Sequence, residues 1–257
     1  MGVYNTGERK ILEKSIGSIL NQTYGDFEFI ICDDGSTDET LNLIKDICKN
    51  DERVKIIQNK QNKGLTYSLN KCLKLINGQY IARMDADDES SLDRFEKQLR
   101  FLEENPEYQL LSTCINLFDS EGVWGERIYK SEVTKESFLF NTPIAHPTVF
   151  AKKEAFECVN GYNDAKYTYR NEDYDIFMRM FAKGIKMYIM PEKLLNFRED
   201  KNTFKRRKYK YRINEAKVRL YGFRKLKIKP LQYIYVLKPL IVGLIPQKIL
   251  KQNQRIK

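Results

Sequence analysis

The chain has 257 residues, 42% of them hydrophobic, enough to bury one substantial core without disulfide or metal staples. Its five cysteines (Cys32, Cys48, Cys72, Cys114 and Cys158) are widely spaced with no CxxC pair, which excludes a disulfide framework and a thiolate zinc site and points to reduced cytosolic thiols. The formal net charge of +10 hides an asymmetry: residues 200–257 carry +16 and the preceding residues −6, an acidic domain with a basic tail.

The opening "MGVYNTGERK" has no basic-then-apolar leader, so no secretion signal is expected. It reads as the end of a strand and its loop, so either the rest of the first strand lies upstream, the favoured expectation because a central parallel strand is costly to omit, or the sheet is built without a full first strand. "KILEKSIGSILNQ" sets Ile11, Leu12, Ile16, Ile19 and Leu20 at helical spacing, and "FEFIIC" follows as a buried strand ending in "DDGSTDE". Gly35 makes the turn, and Ser36, Thr37 and Asp38 offer caps for a helix with Leu41, Ile44 and Ile47 on one face. "VKIIQ" is the next strand, Leu65 to Ile76 the next helix, and "QYIARM" a strand running straight into Asp85, Asp87 and Asp88. This alternation predicts a doubly wound, mostly parallel α/β sheet. Further on, Leu92 to Leu102 form a helix and "YQLLSTCINLFDSEG" a long strand and turn. "HPTVFAKKEAF" gives a strand and short helix, and "NEDYDIFMRMFAKG" a helix that opens with acids and stops at Gly184.

Ligands of such sheets bind beyond the carboxyl ends of the strands. Asp33 and Asp34 sit at one such end and Asp85 to Asp88 at another, so both clusters are expected to face one crevice. "DADD" as an acidic helix cap would need no ligand; at a strand end it suits a divalent cation held by one or two carboxylates and phosphate oxygens. Turn chemistry explains Gly35 to Asp38 but not the acids before them. One of those acids can accept the imide N–H of uracil, with Tyr4 as a stacking face. Glu172 and Asp173 complement a helix dipole, which would depress their pKa values and leave an ionised base. His146, the single histidine, precedes a proline in an apolar run and reads as structural. No GxGxxG or GxxxxGK[ST] loop is present, which argues against Rossmann dehydrogenases and P-loop NTPases.

In order along the chain, "VYNTGERKILEKSIGSILNQTYGDFEFIICDDGSTDET", "NKGLTYSLN", "YIARMDADD" and "NEDYDIFMRM" closely resemble the inverting family 2 glycosyltransferases of GT-A fold. The tail resembles the EpsE-type enzymes of bacterial exopolysaccharide clusters. The resemblance implies a catalytic domain over residues 1–200, its nucleotide half about 1–90 and acceptor half about 91–200, with a basic amphipathic helical tail over 201–257. It implies that Tyr4 and Asp33 or Asp34 hold the nucleobase, Asp85 the ribose, Asp87 a Mn or Mg ion, and that Arg198 lies near the diphosphate. Asp173 would be the base that deprotonates the acceptor. The implied reaction moves a sugar from a nucleotide sugar, a UDP-sugar above all, to a glycan or lipid-linked acceptor in exopolysaccharide, capsule or biofilm synthesis. A sugar nucleotidyltransferase and a non-catalytic binding protein on the same fold are the alternatives. Nucleic acid is not an expected partner, since the tail has no reader motif. Leu231 to Leu250 is apolar but broken by Lys238, Pro239 and Pro246, so it is not expected to span a bilayer. Instead "KRRKYKYR" would meet anionic lipid at the inner face of the cell membrane while Ile234, Leu237, Leu240 and Ile241 insert shallowly. The alternative is that these residues pack on the protein's own sheet.

Overall fold

The computed structural model describes residues 1–200 and 209–245. Its first third alternates as expected: β1 (Gly2–Val3), α1 (Arg9–Leu20), β2 (Phe29–Asp33), α2 (Thr40–Cys48), β3 (Val54–Gln58), α3 (Leu65–Leu73) and β4 (Tyr80–Ala82). Strands β1, β2 and β3 pair in parallel in that order. Every residue of β2 is buried because helices cover both of its faces. Phe29 and Ile31 join Leu12, Ile16 and Ile19 of α1 and Ile44 of α2, while Ile30 and Cys32 point the other way, onto Cys72 of α3.

Between β2 and β4 lies a cavity of about 790 Å³ lined by Met1, Phe29, Ile30, Leu69, Tyr80 and Ala82 among others. Strand β4 forms no ladder with the first sheet; it belongs to a second sheet.

That second sheet adds β5 (Glu89–Ser90), β6 (Leu110–Asp119), β7 (Gly122–Arg127), β8 (Phe150–Lys152) and β9 (Met187–Arg198), with helices α4 (Arg94–Glu104), α5 (Lys153–Glu157) and α6 (Glu172–Ala182). The order is β4-β8-β6-β9-β5, with β7 paired to β6, and only β6 and β9 run parallel. The parallel part of the architecture is therefore confined to β1–β3 and this pair. Strands β5, β7 and β9 have no counterpart in the sequence reading. In β9 the ladder skips Pro191 and Glu192 between Met190 and Lys193, a bulge that hides a strand of 12 residues behind a proline.

The tail continues with α7 (Tyr209–Lys225), a 3-10 segment (Pro230–Val236) and α8 (Lys238–Leu244). Val218 and Phe223 of α7 are fully buried in the cluster that holds Ile176, Phe177 and Met178 of α6. A Cβ at Gly222 would lie 2.2 Å from the Met178 sulfur, so the glycine allows this close approach. Farther along, Leu231, Ile234, Leu237, Ile241 and Leu244 are exposed and Leu240 is half-buried. Lys205 to Lys208 of the expected basic cluster lie outside the described residues.

Candidate active site

The loop after β2 is built around Gly35. Its φ of +69° suits glycine, and a Cβ there would lie 2.6 Å from the Gln61 backbone. That contact seats the loop on residues 59–64, which Asp34 then ties down. Asp34 accepts from Asn59 Nδ2 at 2.7 Å, Lys63 N at 2.9 Å and Gly64 N at 2.7 Å. Asp33 accepts from the Ser36 N–H at 3.2 Å. Both carboxylates are buried, whereas Tyr4 is 45% exposed. Asn5, next to Tyr4, donates to Ser36 Oγ at 3.0 Å and accepts from Thr37 N at 2.9 Å, so the Tyr4 loop is pinned to the Gly35 loop. The caps expected of Ser36 and Thr37 do not form: Glu39 holds the N-cap position of α2 without a side-chain bond, and Asp38 accepts from Thr40 N at 3.0 Å.

The second cluster follows β4. Ser15 of α1 donates to the Asp85 carbonyl at 3.0 Å, and the Asp85 carboxylate pairs with the buried Arg83 guanidinium. Asp88 Oδ1 accepts the Arg198 N–H at 2.8 Å, and Arg198 Nε donates to the Asp87 carbonyl at 3.1 Å while its guanidinium lies 4.5 Å from the Phe118 ring centre. The end of β9 is thereby clasped to the acidic turn across more than a hundred residues of chain. Asp87 opens to solvent on one side with protein crowding the others. Desolvation on those sides, then the Asp85 charge, pushes its carboxyl up to about 6. Asp88 is raised as well, by burial and by its two acidic neighbours, and its Oδ2 is buried without a hydrogen-bond partner among the described residues.

Helix α6 brings the third cluster. Burial, followed by the Asp173 charge, pushes Glu172 up to about 7, and burial also raises Asp173. The depression expected from the helix dipole is therefore overturned: the backbone N–H of Tyr174, 2.7 Å from Asp173 Oδ1, favours the charged form but desolvation outweighs it. A raised carboxylate is the stronger proton acceptor. The Asp85 charge is felt at Asp173, and Arg83 stabilises the charges of Asp87, Asp88, Glu172 and Asp173 alike. The two acidic clusters thus lie within electrostatic reach of one another. His146 is buried, held well below its ordinary pKa by burial and Arg83, and lies 2.7 Å from the Tyr162 hydroxyl. Trp124 and Tyr169 are exposed, whereas Tyr162 is not.

Among the described residues no three His, Cys, Asp or Glu side chains form a metal cage. The acids present suit a different arrangement, in which an ion takes one or two carboxylates and finds its remaining oxygens on a ligand. The orphaned Asp88 Oδ2 and the crowded Asp87 carboxylate are the groups that such an ion would relieve. Arg83, Ser15 and Asn59 were not singled out by motif. Arg83 had one readable signal: it stands two residues before Asp85, on the same face of an extended segment, as a charge inside an apolar run.

Residues 1–159 match the family described as "Glycosyl transferase family 2", and residues 144–215 match "N-terminal domain of galactosyltransferase". EpsE of Bacillus subtilis (strain 168), which carries a glycosyltransferase name, is 41% identical over 99% of this chain and 91% of its own. The Escherichia coli O-antigen biosynthesis glycosyltransferase WbnJ is 34% identical over 76% of this chain and 78% of its own. Among solved structures, Staphylococcus aureus TarS (1–349) in complex with UDP aligns with a TM-score of 0.68 at 17% identity, over 95% of this chain and 69% of that one. The mannosyltransferase PcManGT of Pyrobaculum calidifontis, in complex with GDP-Man and Mn²⁺, aligns at 0.63 and 17%, over 98% and 77%.

Proposed function

This chain belongs to glycosyl transferase family 2, with the GT-A fold, and from that membership we propose that it transfers a sugar with inversion from a UDP-sugar to a polysaccharide or lipid-linked acceptor. The observation that carries the reading is the acidic turn after β4, where Arg198 from the end of β9 is clasped to Asp87 and Asp88, and Asp85 pairs with the buried Arg83. That turn suits the departing nucleoside diphosphate, and the acids that open α6 suit the incoming hydroxyl.

In this reading Tyr4 stacks on the base, Asp33 or Asp34 reads it, Asp85 holds the ribose and Arg198 lies beside the diphosphate. Asp173 accepts the proton of the acceptor hydroxyl as that oxygen attacks the anomeric carbon from the face opposite the leaving group. The transition state is oxocarbenium-like by analogy with glycosidases, so a carboxylate of modestly raised basicity suffices. Asp87, aided by Asp88, would hold a Mn or Mg ion. When bound, that ion supplies positive charge where the diphosphate gathers negative charge.

For the tail, the reading is attachment to the anionic inner face of the membrane, which would bring the crevice to a lipid-linked acceptor. Its support is the exposed row Leu231, Ile234, Leu237, Ile241 and Leu244 beside a strongly basic segment. Among the described residues no helix is long and apolar enough to cross a membrane.

The experiment is Asp87→Asn in calorimetry with uridine diphosphate and Mn²⁺. Metal-dependent binding should collapse in the variant while the fold persists; unchanged affinity would remove Asp87 from the metal site. Release of a nucleoside diphosphate, and not pyrophosphate, separates the transfer from nucleotidyl chemistry.

A further inference from the structure

A guanidinium beneath the crevice has no part in the reaction as described above. Arg83 follows β4, is 6% exposed, and donates its backbone N–H to Val149 O at 2.8 Å, so the strand edge fixes its Cα. Its carbonyl accepts from Arg94 Nη2 at 3.2 Å, and Arg94, fully buried, also donates to Pro147 O at 2.8 Å. The main chain around Arg83 is therefore held from two directions.

The side chain is held differently. Its hydrogen bond runs from Nη1 to Asp85 Oδ2, and its Nε is buried without a partner among the described residues. A desolvated guanidinium with one direct carboxylate and an idle Nε is expensive to keep for stability alone. Its charge also favours the ionised forms of Asp87, Asp88, Glu172 and Asp173. Arg94 is a second buried cation, acting on Asp88, and His146 is kept neutral by burial. Asp85 is the carboxylate that Arg83 grips.

We propose that Arg83 is a positioning residue that sets the Asp85 carboxylate for the donor's ribose. The guanidinium touches no substrate. It acts through Asp85, because Asp85 is about a quarter exposed and faces the crevice while Arg83 is enclosed behind it. A lysine could supply the charge but not the planar, fixed direction of the guanidinium N–H groups, so the inference distinguishes charge from geometry.

This inference rests on the donor-site reading of Asp85, and a double-mutant cycle keeps the two separable. Uridine diphosphate binding is measured by calorimetry for wild type, Arg83→Lys, Asp85→Asn and the double variant, with thermal unfolding of each as the fold control. Arg83→Lys, chosen because it retains the buried charge, should weaken binding by roughly 10- to 100-fold, the range for losing a charge-assisted hydrogen bond. Asp85→Asn should lose about as much. The double variant should bind no more weakly than Asp85→Asn alone, since a residue acting through Asp85 has nothing left to position. Independent, multiplying losses, or wild-type affinity in Arg83→Lys, would overturn the positioning role. Wild-type affinity in Asp85→Asn would overturn the donor-site reading of Asp85, and the inference with it.

Discussion

Glu172 and Asp173 are adjacent in the chain yet unequal in environment, and the difference gives a pH signature. Glu172, desolvated and next to the Asp173 charge, is held up to about 7 from an ordinary 4.5. Between about pH 4.5 and 7 an unfolded chain gives up this proton while the folded chain keeps it, so the ligand-free protein loses stability as pH rises through that window. Glu172→Gln removes this contribution. Calorimetric melting at pH 5 and pH 7.5 should show a smaller fall for the variant than for wild type; equal falls would mean that Glu172 titrates normally. Asp87, raised to about 6, adds a slope of the same sign, so the variant's fall is reduced and not abolished.

At the scale of elements, the loop after β2 shows what a sequence makes plain and what it does not. "CDDGSTDET" identifies a strand, a turn and a helix by local chemistry, and all three form. The partner of Gly35, however, is the Gln61 backbone, and no local rule selects residue 61. The same division runs through the site. Asp85, Asp87 and Asp173 announce themselves as acids at element ends, whereas Arg83 gains its meaning only when it is buried against the Asp85 carboxylate. Strands β7 and β9 stay hidden for a related reason: their pairing is set by β6, and a bulge or a glycine costs little once a neighbour supplies the ladder. Gly35→Ala meets both a left-handed φ and a backbone wall, and should destabilise the fold by about 2–4 kcal/mol. Gly25→Ala, with nothing within 4 Å of the added Cβ, serves as the near-neutral control. Urea unfolding decides; equal midpoints would show that the loop can rearrange around a Cβ.

For the whole molecule, the tail combines two roles that its charge alone does not separate. Arg219, fully buried on α7, donates to Leu139 O at 2.6 Å and Phe140 O at 2.7 Å and lies 5.2 Å from the Tyr174 ring centre, next to Asp173 in the chain. This arginine is a structural clasp and is unavailable to lipid. The exposed apolar row beyond Pro230 has no such use. The full chain should sediment with anionic vesicles at low salt, release in part at high salt, and stay in solution when Leu231, Ile234 and Ile241 are all changed to Ser. Indifference to anionic vesicles would send the basic tail to another partner. The catalytic account as a whole rests most directly on Asp173. In one preparation of Asp173→Asn, nucleotide affinity and sugar transfer are measured side by side. The account predicts affinity near wild type with transfer lower by roughly 10²- to 10⁴-fold, the range for losing a general base. Transfer within a fewfold of wild type, or binding and transfer lost together, would contradict it.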